Sequence, residues 1–236
     1  MNSKILIIIP VYNEEGNVKP LINGIFKYFK KKKTILFIDD NSQDKTKLEI
    51  KECQKKFNNI YLENRKSKLG IGSAHKFALR WAYKKKYKII ITMDCDGTHH
   101  PKYIDKMINI LIKKKSDIVS TNRFLNKNSL KGWSLWRKLL TSIRFIIINK
   151  LFNIKYDSSG AYRCYNANNV KLEDLLKAKN NSYSFFWQST LILGKKYHIH
   201  EIPINLPARN QGSSKMQIKD IVSGLYYVFL FRFKKF

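Results

Sequence analysis

Acidic residues are scarce in this sequence: 17 aspartates and glutamates stand against 46 lysines and arginines, a formal net charge of +29. Cysteine is scarcer still. The three, Cys53, Cys95 and Cys164, are far apart with no C-x-x-C spacing, which excludes a disulfide framework and a cysteine zinc site and fits a reducing compartment. No charge-free apolar stretch reaches the roughly 18–20 residues that a membrane-crossing helix needs; the longest candidate, 221–231, falls well short. The apolar run 5–9 is too short for a secretory signal and stops at Pro10, so it is expected to be a buried strand. With five prolines and ten glycines there is no Ser/Gly/Pro-rich linker, and no internal repeat divides the first 125 residues.

Apolar residues are plentiful. Over 236 residues, 44% are hydrophobic and 13% aromatic, enough for a sizeable core and incompatible with disorder or low complexity. The positive excess favours phosphate, whether in nucleotides, nucleic acid or anionic lipid headgroups. The lysine runs 30–33, 84–86 and 113–115 equally fit solvated faces drawn from a biased composition.

Along the first half, strand and helix patterns alternate. After the run 5–9, Val18, Leu21, Ile22, Ile25, Phe26 and Phe29 form one helical stripe. A strand at 34–38 ends at Asp39-Asp40, a helix is expected after Asp44, and a short strand follows at 60–62. Ala74, Phe77, Ala78 and Trp81 mark a third helix, and 88–93 is a strand running into Asp94. Pro101 opens a fourth helix with Ile104, Met107, Ile108 and Leu111 on one face, and 117–120 is a further strand. This order predicts an α/β fold: an open, mostly parallel sheet with helices on both faces, whose ligands sit beyond the strands' carboxyl ends. Residues 10–14, Asp39-Asp40 and 94–96 all fall there.

Asp94-x-Asp96 places two carboxylates where a strand leaves the sheet. Such a pair suits a hard divalent cation, Mg2+ or Mn2+, which keeps positions open for phosphate oxygens; a solvated turn supplies the same pattern. Asp40 can accept hydrogen bonds from a base or a ribose hydroxyl, or serve as a turn residue before Asn41-Ser42-Gln43-Asp44. Gly70-x-Gly72 matches neither a P-loop nor the full dinucleotide fingerprint, and reads as a tight turn letting helix and sheet approach.

These stretches resemble family 2 glycosyltransferases: Ile-Pro-Val-Tyr-Asn-Glu after the first strand, Phe-Ile-Asp-Asp-Asn-Ser-Gln-Asp after the second, and Asp-Cys-Asp-Gly-Thr-His-His-Pro after the central one. Later motifs are similar to the dolichol-phosphate (polyprenyl-phosphate) mannosyltransferase branch: Thr-Asn-Arg123-Phe, Trp136-Arg137, Asp157-Ser-Ser-Gly160-Ala-Tyr-Arg163, Glu201-Ile-Pro-Ile and Arg209-x-x-Gly212-x-Ser214-Lys215. The resemblance runs from Ile5 to Lys215. It implies a GT-A-like nucleotide-sugar fold and inverting transfer of a hexose, mannose from GDP-mannose foremost, or a UDP-sugar's hexose, to a polyprenyl phosphate. Carried over by position, Pro10, Tyr12, Glu14 and Asp40 hold the nucleotide, while Asp94 and Asp96 bind the metal. Arg123 and Arg137, with Thr141 or Ser142, receive the acceptor phosphate, and Arg209 and Lys215 close over the diphosphate; Asp96, Arg123 and Arg137 carry catalysis. The chain departs from the branch in three places: Thr98 stands where Gln is common, one extra residue lies in Ser-Gly-Ala-Tyr-Arg, and Phe186-Trp187-Gln188 lacks an expected carboxylate.

Residues 133–152 mix bulky apolar side chains with Arg137, Lys138, Arg144 and Lys150, as in a helix lying in a membrane interface or in an ordinary core helix. The segment 216–236 is similar, aromatic and capped by cations, suited to anionic lipid. The expectation is therefore a transferase domain over 1–215 and a membrane-docking segment over 216–236. The protein would sit peripherally on the cytoplasmic face of a membrane, with a separate membrane-anchoring subunit possible and no nucleic-acid partner. Two alternatives stay open: a family 2 transferase acting on a hydroxyl of lipopolysaccharide or another surface glycan, which needs a general base, and a non-catalytic basic protein binding anionic membrane or nucleic acid.

Overall fold

The computed structural model describes residues 4–208 and 218–233. A seven-stranded sheet runs in the order β3-β2-β1-β4-β6-β5-β7. Its strands are β1 (Ile5–Val11), β2 (Thr34–Asp39), β3 (Ile60–Asn64), β4 (Ile89–Thr92), β5 (Ile118–Asn122), β6 (Arg163–Asn166) and β7 (Ile199–Pro203). All pairings are parallel except those of β6, which is antiparallel to both β4 and β5.

The continuous apolar run of β1 is explained by burial on both faces. Ile5, Ile7, Ile9 and Val11 join a core with α1 (Val18–Tyr28), α2 (Thr46–Lys56) and α4 (Tyr103–Lys113). Leu6 and Ile8 face α3 (Ile71–Lys84), α6 (Leu172–Leu176) and α7 (Ser184–Gly194) on the other side. β1 extends two residues beyond the expected boundary, through Pro10. Its register with β4 stops at Ile8–Thr92, and Ile8 O accepts the N–H of Met93 at 3.0 Å. Alternation then aims Pro10 at the same side, past the end of β4, where no ladder donor is needed. Pro10 thus sits in a central strand and already in the mouth of the ligand edge.

The reversal of β6 has a topological consequence. Because β5 ends and β6 begins at the carboxyl edge, everything between them, 123–162, hangs from that edge. The centrepiece is α5 (Leu135–Phe152), capped by Ser134 Oγ accepting from Arg137 N–H at 3.4 Å and ended by Asn153 in the left-handed region, φ 51°. Trp133, expected within the helix, instead packs into the core ahead of it. Only Thr141 and Ile148 of α5 are buried, so it is no core helix. Leu135, Trp136, Leu139, Leu140, Ile143 and Ile147 are exposed.

The last described element, α8 (Ile218–Phe233), packs Tyr227, Val228 and Phe231 against Ile148, Trp187 and Leu191. Tyr226, Phe229 and Phe233 face outward, so an aromatic face is left open as well as a packed one. Among the described residues, no helix is long and apolar enough to cross a membrane.

Candidate active site

Six of the residues singled out from sequence converge. Pro10, Tyr12, Glu14, Asp40, Asp94 and Asp96 line one cleft of about 600 Å³ at the carboxyl ends of β1, β2 and β4. Local hydrogen bonds fix this convergence. The β1 loop is tied to the β2 loop by Asn13 N–H donating to Ser42 Oγ (2.9 Å) and Glu14 N–H to Thr46 Oγ1 (2.7 Å). Glu14 is buried and accepts from Asn17 Nδ2 at 2.8 Å.

Asp96 is buried, its Oδ1 accepting from the N–H and Oγ1 of Thr98 at 3.1 and 2.6 Å. Thr98, which replaces the branch's Gln, therefore holds the carboxylate in place. Asp94 is more open, its side chain 31% exposed. Its backbone N–H donates to His99 Nδ1 at 2.8 Å. A ring nitrogen that accepts this N–H cannot also donate to the Asp94 carboxylate 3.5 Å away, so His99 braces the turn. Between the two acids, burial and then the nearby Glu14, Asp96 and Asp94 charges push the Cys95 thiol well above its ordinary range. Such a thiol is a poor nucleophile at neutral pH.

Asp40 lines the cleft, and its oxygens are engaged: Oδ1 accepts from Leu69 N–H (2.9 Å) and meets Arg65 Nη1 (2.9 Å), and Oδ2 accepts from Gly70 N–H (2.8 Å). It shapes the pocket through the 65–70 loop, leaving only its remaining lone pairs for a donor. The glycine pair does something other than expected. Gly70 has φ +92°, and a Cβ there would lie 2.4 Å from Asn181 O; one at Gly72 would meet Phe185 Cβ at 2.6 Å and Asn180 O at 2.9 Å. The close approach is therefore to the segment 180–185, not to the sheet. That segment, missed from sequence, supplies Asn180, Asn181, Ser182 and Tyr183 to the far wall of the cleft. Gln188 Oε1 accepts the Asn180 N–H at 3.1 Å, so the neutral amide provides an acceptor where a carboxylate was expected. Lys68, Lys179 and Tyr227 of α8 complete the lining.

Arg123 and Ser142 are not in this cleft. They line a second cavity of about 860 Å³ at the ends of β5 and β7, together with Lys127, Lys131 and Lys138. Arg123 is buried, donating Nε to Asp157 Oδ2 at 2.7 Å and its backbone N–H to the same oxygen at 3.2 Å. Asp157 is fully buried, which alone would raise its pKa; the Arg123 charge and hydrogen bonds outweigh this and lower it. Thr141 is buried, and Arg137 stacks on the Trp133 ring at 3.6 Å. Arg209 and Lys215 lie outside the described residues.

As a metal site, the cleft offers oxygen ligands of the right kind in Asp94 and Asp96. Among the described residues no group of three or more His, Cys, Asp or Glu gathers. The donor set thus fits a hard cation that completes its shell with ligands from outside the protein, as a diphosphate supplies.

A mostly parallel sheet with one antiparallel strand, carboxylates at the end of its central strand and a ligand edge roofed by helices defines a GT-A-like nucleotide-sugar fold. Solved structures share it. Glucosyl-3-phosphoglycerate synthase from Mycobacterium tuberculosis, in complex with Mn2+, UDP-glucose and phosphoglyceric acid, superposes with TM-score 0.67 at 14% identity, over 98% of this chain and 79% of that one. S. aureus TarS in complex with UDP-GlcNAc gives 0.64 at 16% identity, over 95% and 65%. The chain belongs to glycosyl transferase family 2, whose pattern matches residues 6–172. The polyprenol monophosphomannose synthase of Mycolicibacterium smegmatis is 26% identical over 238 residues, covering 94% of this chain and 84% of that protein. The undecaprenyl-phosphate mannosyltransferase of Micrococcus luteus is 27% identical over 217 residues, covering 90% and 87%.

Proposed function

We propose that the protein transfers a hexose, mannose from GDP-mannose first among the candidates, to a polyprenyl phosphate at a membrane surface. The observation that carries this reading is the second cavity. Among the described residues its charged lining consists of Arg123, Lys127, Lys131 and Lys138, with no carboxylate, and two of its residues, Lys138 and Ser142, stand on the helix whose other side is exposed and apolar. A phosphate fits the cations and an isoprenoid tail fits the apolar side. A hydroxyl acceptor would need a general base, and the described residues lining this cavity include no carboxylate or histidine. The two relatives named as a polyprenol monophosphomannose synthase and an undecaprenyl-phosphate mannosyltransferase support the same reading.

The chemistry follows from the residue types. An acceptor phosphate oxygen, already anionic at neutral pH, attacks the anomeric carbon. The bond from that carbon to the nucleotide's diphosphate breaks as the new C–O–P linkage forms on the opposite face, inverting the centre. No proton need be abstracted, so the chain's task is alignment and charge stabilisation. Arg123, fixed by Asp157, presents the planar fork that grips phosphate. Asp94 and Asp96 would hold Mg2+ or Mn2+, which when bound neutralises charge on the departing diphosphate. Lys68 and Lys179 add positive charge to the same cleft. The exposed faces of α5 and α8 would rest on the lipid surface, their cations on anionic headgroups.

The direct experiment incubates purified protein with a panel of radiolabelled GDP- and UDP-sugars, polyprenyl phosphate vesicles and magnesium. Label entering the lipid phase from one donor, and lost on chelation, is the expected result. Label that passes only to a hydroxyl-bearing glycan would overturn it.

A further inference from the structure

The family resemblance pairs Arg123 with Arg137, and the fold links a further arginine to Arg123 through a shared turn. Arg144 of α5, which does not itself line the second cavity, donates Nη2 to Ser159 Oγ at 3.0 Å. Ser159 donates its N–H and Oγ to Asp157 Oδ1 at 3.3 and 3.0 Å. The other oxygen of that carboxylate holds Arg123 at 2.7 Å through Nε. One buried turn, 157–159, therefore ties two arginines into a continuous network.

The charges in this network do not balance. Asp157 is one carboxylate against two guanidinium groups. The next acid, Glu201, is already taken: Oε2 accepts from Asn122 Nδ2 (2.8 Å) and Oε1 from Asp157 N–H (2.8 Å). Burial pushes the Glu201 pKa upward. Lys127, Lys131 and Lys138 add further positive charge around the same cavity. The strain shows at Arg144, lowered to about 10, first by desolvation of its guanidinium and next by the Arg123 charge. Crowded like charges beside a cavity are stabilised by an anion that both can hold.

We propose that Arg144 is a phosphate-binding residue of the acceptor site, and that the Asp157–Ser159 turn is the positioning element that aims Arg123 and Arg144 at one phosphate monoester. Since Asp157 takes the Nε side of Arg123, the Nη edge is left for the ligand. The ligand class is an isoprenyl phosphate, so this inference rests on the lipid-phosphate reading above. It assigns a further cation for it, one that comes from the apolar helix itself, so the group gripping the phosphate and the surface meeting the tail move as one body.

The test has two arms, each with a thermal melt to show the fold intact. In the first, calorimetry measures farnesyl phosphate binding to the full chain. Arg144→Ala should weaken it at least tenfold, Arg144→Lys less, and Ser159→Ala severalfold, because the charge stays while its tether goes. In the second, steady-state transfer is measured with polyprenyl phosphate, where Arg144→Ala should raise the acceptor KM and leave the donor KM unchanged. If the wild type transfers to lipid phosphate and Arg144→Ala keeps its acceptor KM, the inference is overturned and the transfer reading survives. If the wild type transfers to no lipid phosphate, yet binds farnesyl phosphate in an Arg144-dependent way, the inference survives and that reading falls. Unchanged binding in Ser159→Ala removes the positioning role of the turn. Should Arg144→Ala unfold, Arg144→Lys carries both arms.

Discussion

Two cavities open along one edge of the sheet, and their linings differ in sign. The cleft over β1, β2 and β4 gathers Glu14, Asp40, Asp94 and Asp96, four of only 17 acidic residues in the chain; a merely biased composition would have scattered them. The cavity over β5 and β7 is lined by Arg123, Lys127, Lys131 and Lys138. The difference teaches how an extreme net charge can be put to use. Where a cation must be held, a strongly basic protein has to concentrate its few carboxylates on rigid strand ends. Where a phosphate must be received, it need only keep carboxylates out of the lining, or bury the one it retains beneath an arginine, as Asp157 is.

The largest effect should come from removing the acidic side of this contrast. Asp96→Ala takes away a buried carboxylate that accepts from Thr98 two residues on. Transfer measured as label in the lipid phase should fall by about 10²–10³-fold, the usual scale for losing one preorganised electrostatic group. The acceptor KM should be unaltered, and a rate within twofold of wild type would break the division between the cavities.

On the basic side, Arg123→Ala should raise the acceptor KM at least tenfold with little change in nucleotide binding. It should also destabilise the fold, by about 3–5 kcal/mol, because a buried Asp157 would lose its counter-charge. Denaturant melts measure the second effect. Arg123→Lys keeps the charge but not the fork, and should recover stability more fully than acceptor binding. Equal rises in donor and acceptor KM would merge the two cavities into one site.

The acidic cleft was far more legible in the sequence than the basic cavity, and the reason is physical. β1, β2 and β4 are short apolar runs that end in polar residues, so local pattern alone sets Pro10, Asp40 and Asp94 at one edge. The basic cavity is assembled by β6 returning antiparallel, which brings the 157–160 turn under residue 123 across 34 positions of chain. No local periodicity announces such a contact. Motif likeness supplied Arg123 and Ser142 but not Arg144 or the lysines of the lining. The segment 180–183 escaped for the same reason, as its place in the cleft depends on the absence of a Cβ at Gly70 and Gly72. Helix α7 was unreadable by pattern, because it is buried nearly all round and shows no polar face.

Gly70→Ala tests that last dependence. A methyl group 2.4 Å from Asn181 O, at φ +92°, must displace either the 180–182 segment or the Asp40-bound loop. The expected cost is about 1–3 kcal/mol in a melt, with a higher donor KM and an unchanged acceptor KM. A smaller effect belongs to the apolar helix: Leu139 and Ile143 of α5 are 49% and 42% exposed. Replacing both with Ser should weaken vesicle binding in co-sedimentation roughly 30-fold, by about 1 kcal/mol per side chain, while transfer to a short, soluble isoprenyl phosphate stays near wild type.

The least effect on transfer should come from an acid that serves neither cavity. Asp174 is buried and receives Lys177 Nζ (2.7 Å), Lys196 Nζ (2.5 Å) and Tyr197 Oη (2.6 Å). The hydrogen bond from Lys177, followed by those from Lys196 and Tyr197, holds its carboxyl well below the usual aspartate range. An aspartate with a lowered folded-state pKa stabilises the protein fully above its unfolded value, about 3.9, and loses that contribution as pH falls through the folded value. Asp174→Asn should therefore lower stability at pH 7, by about 1–3 kcal/mol, with kcat and both KM values unchanged. Its gap from wild type in denaturant melts should narrow once the pH drops below about 4. A gap that widens toward acid would reverse the sign of this linkage. A loss of transfer at pH 7 in a folded Asp174→Asn protein would mean that acidic residues matter here by number and not by place, and the contrast between the two cavities would lose its basis.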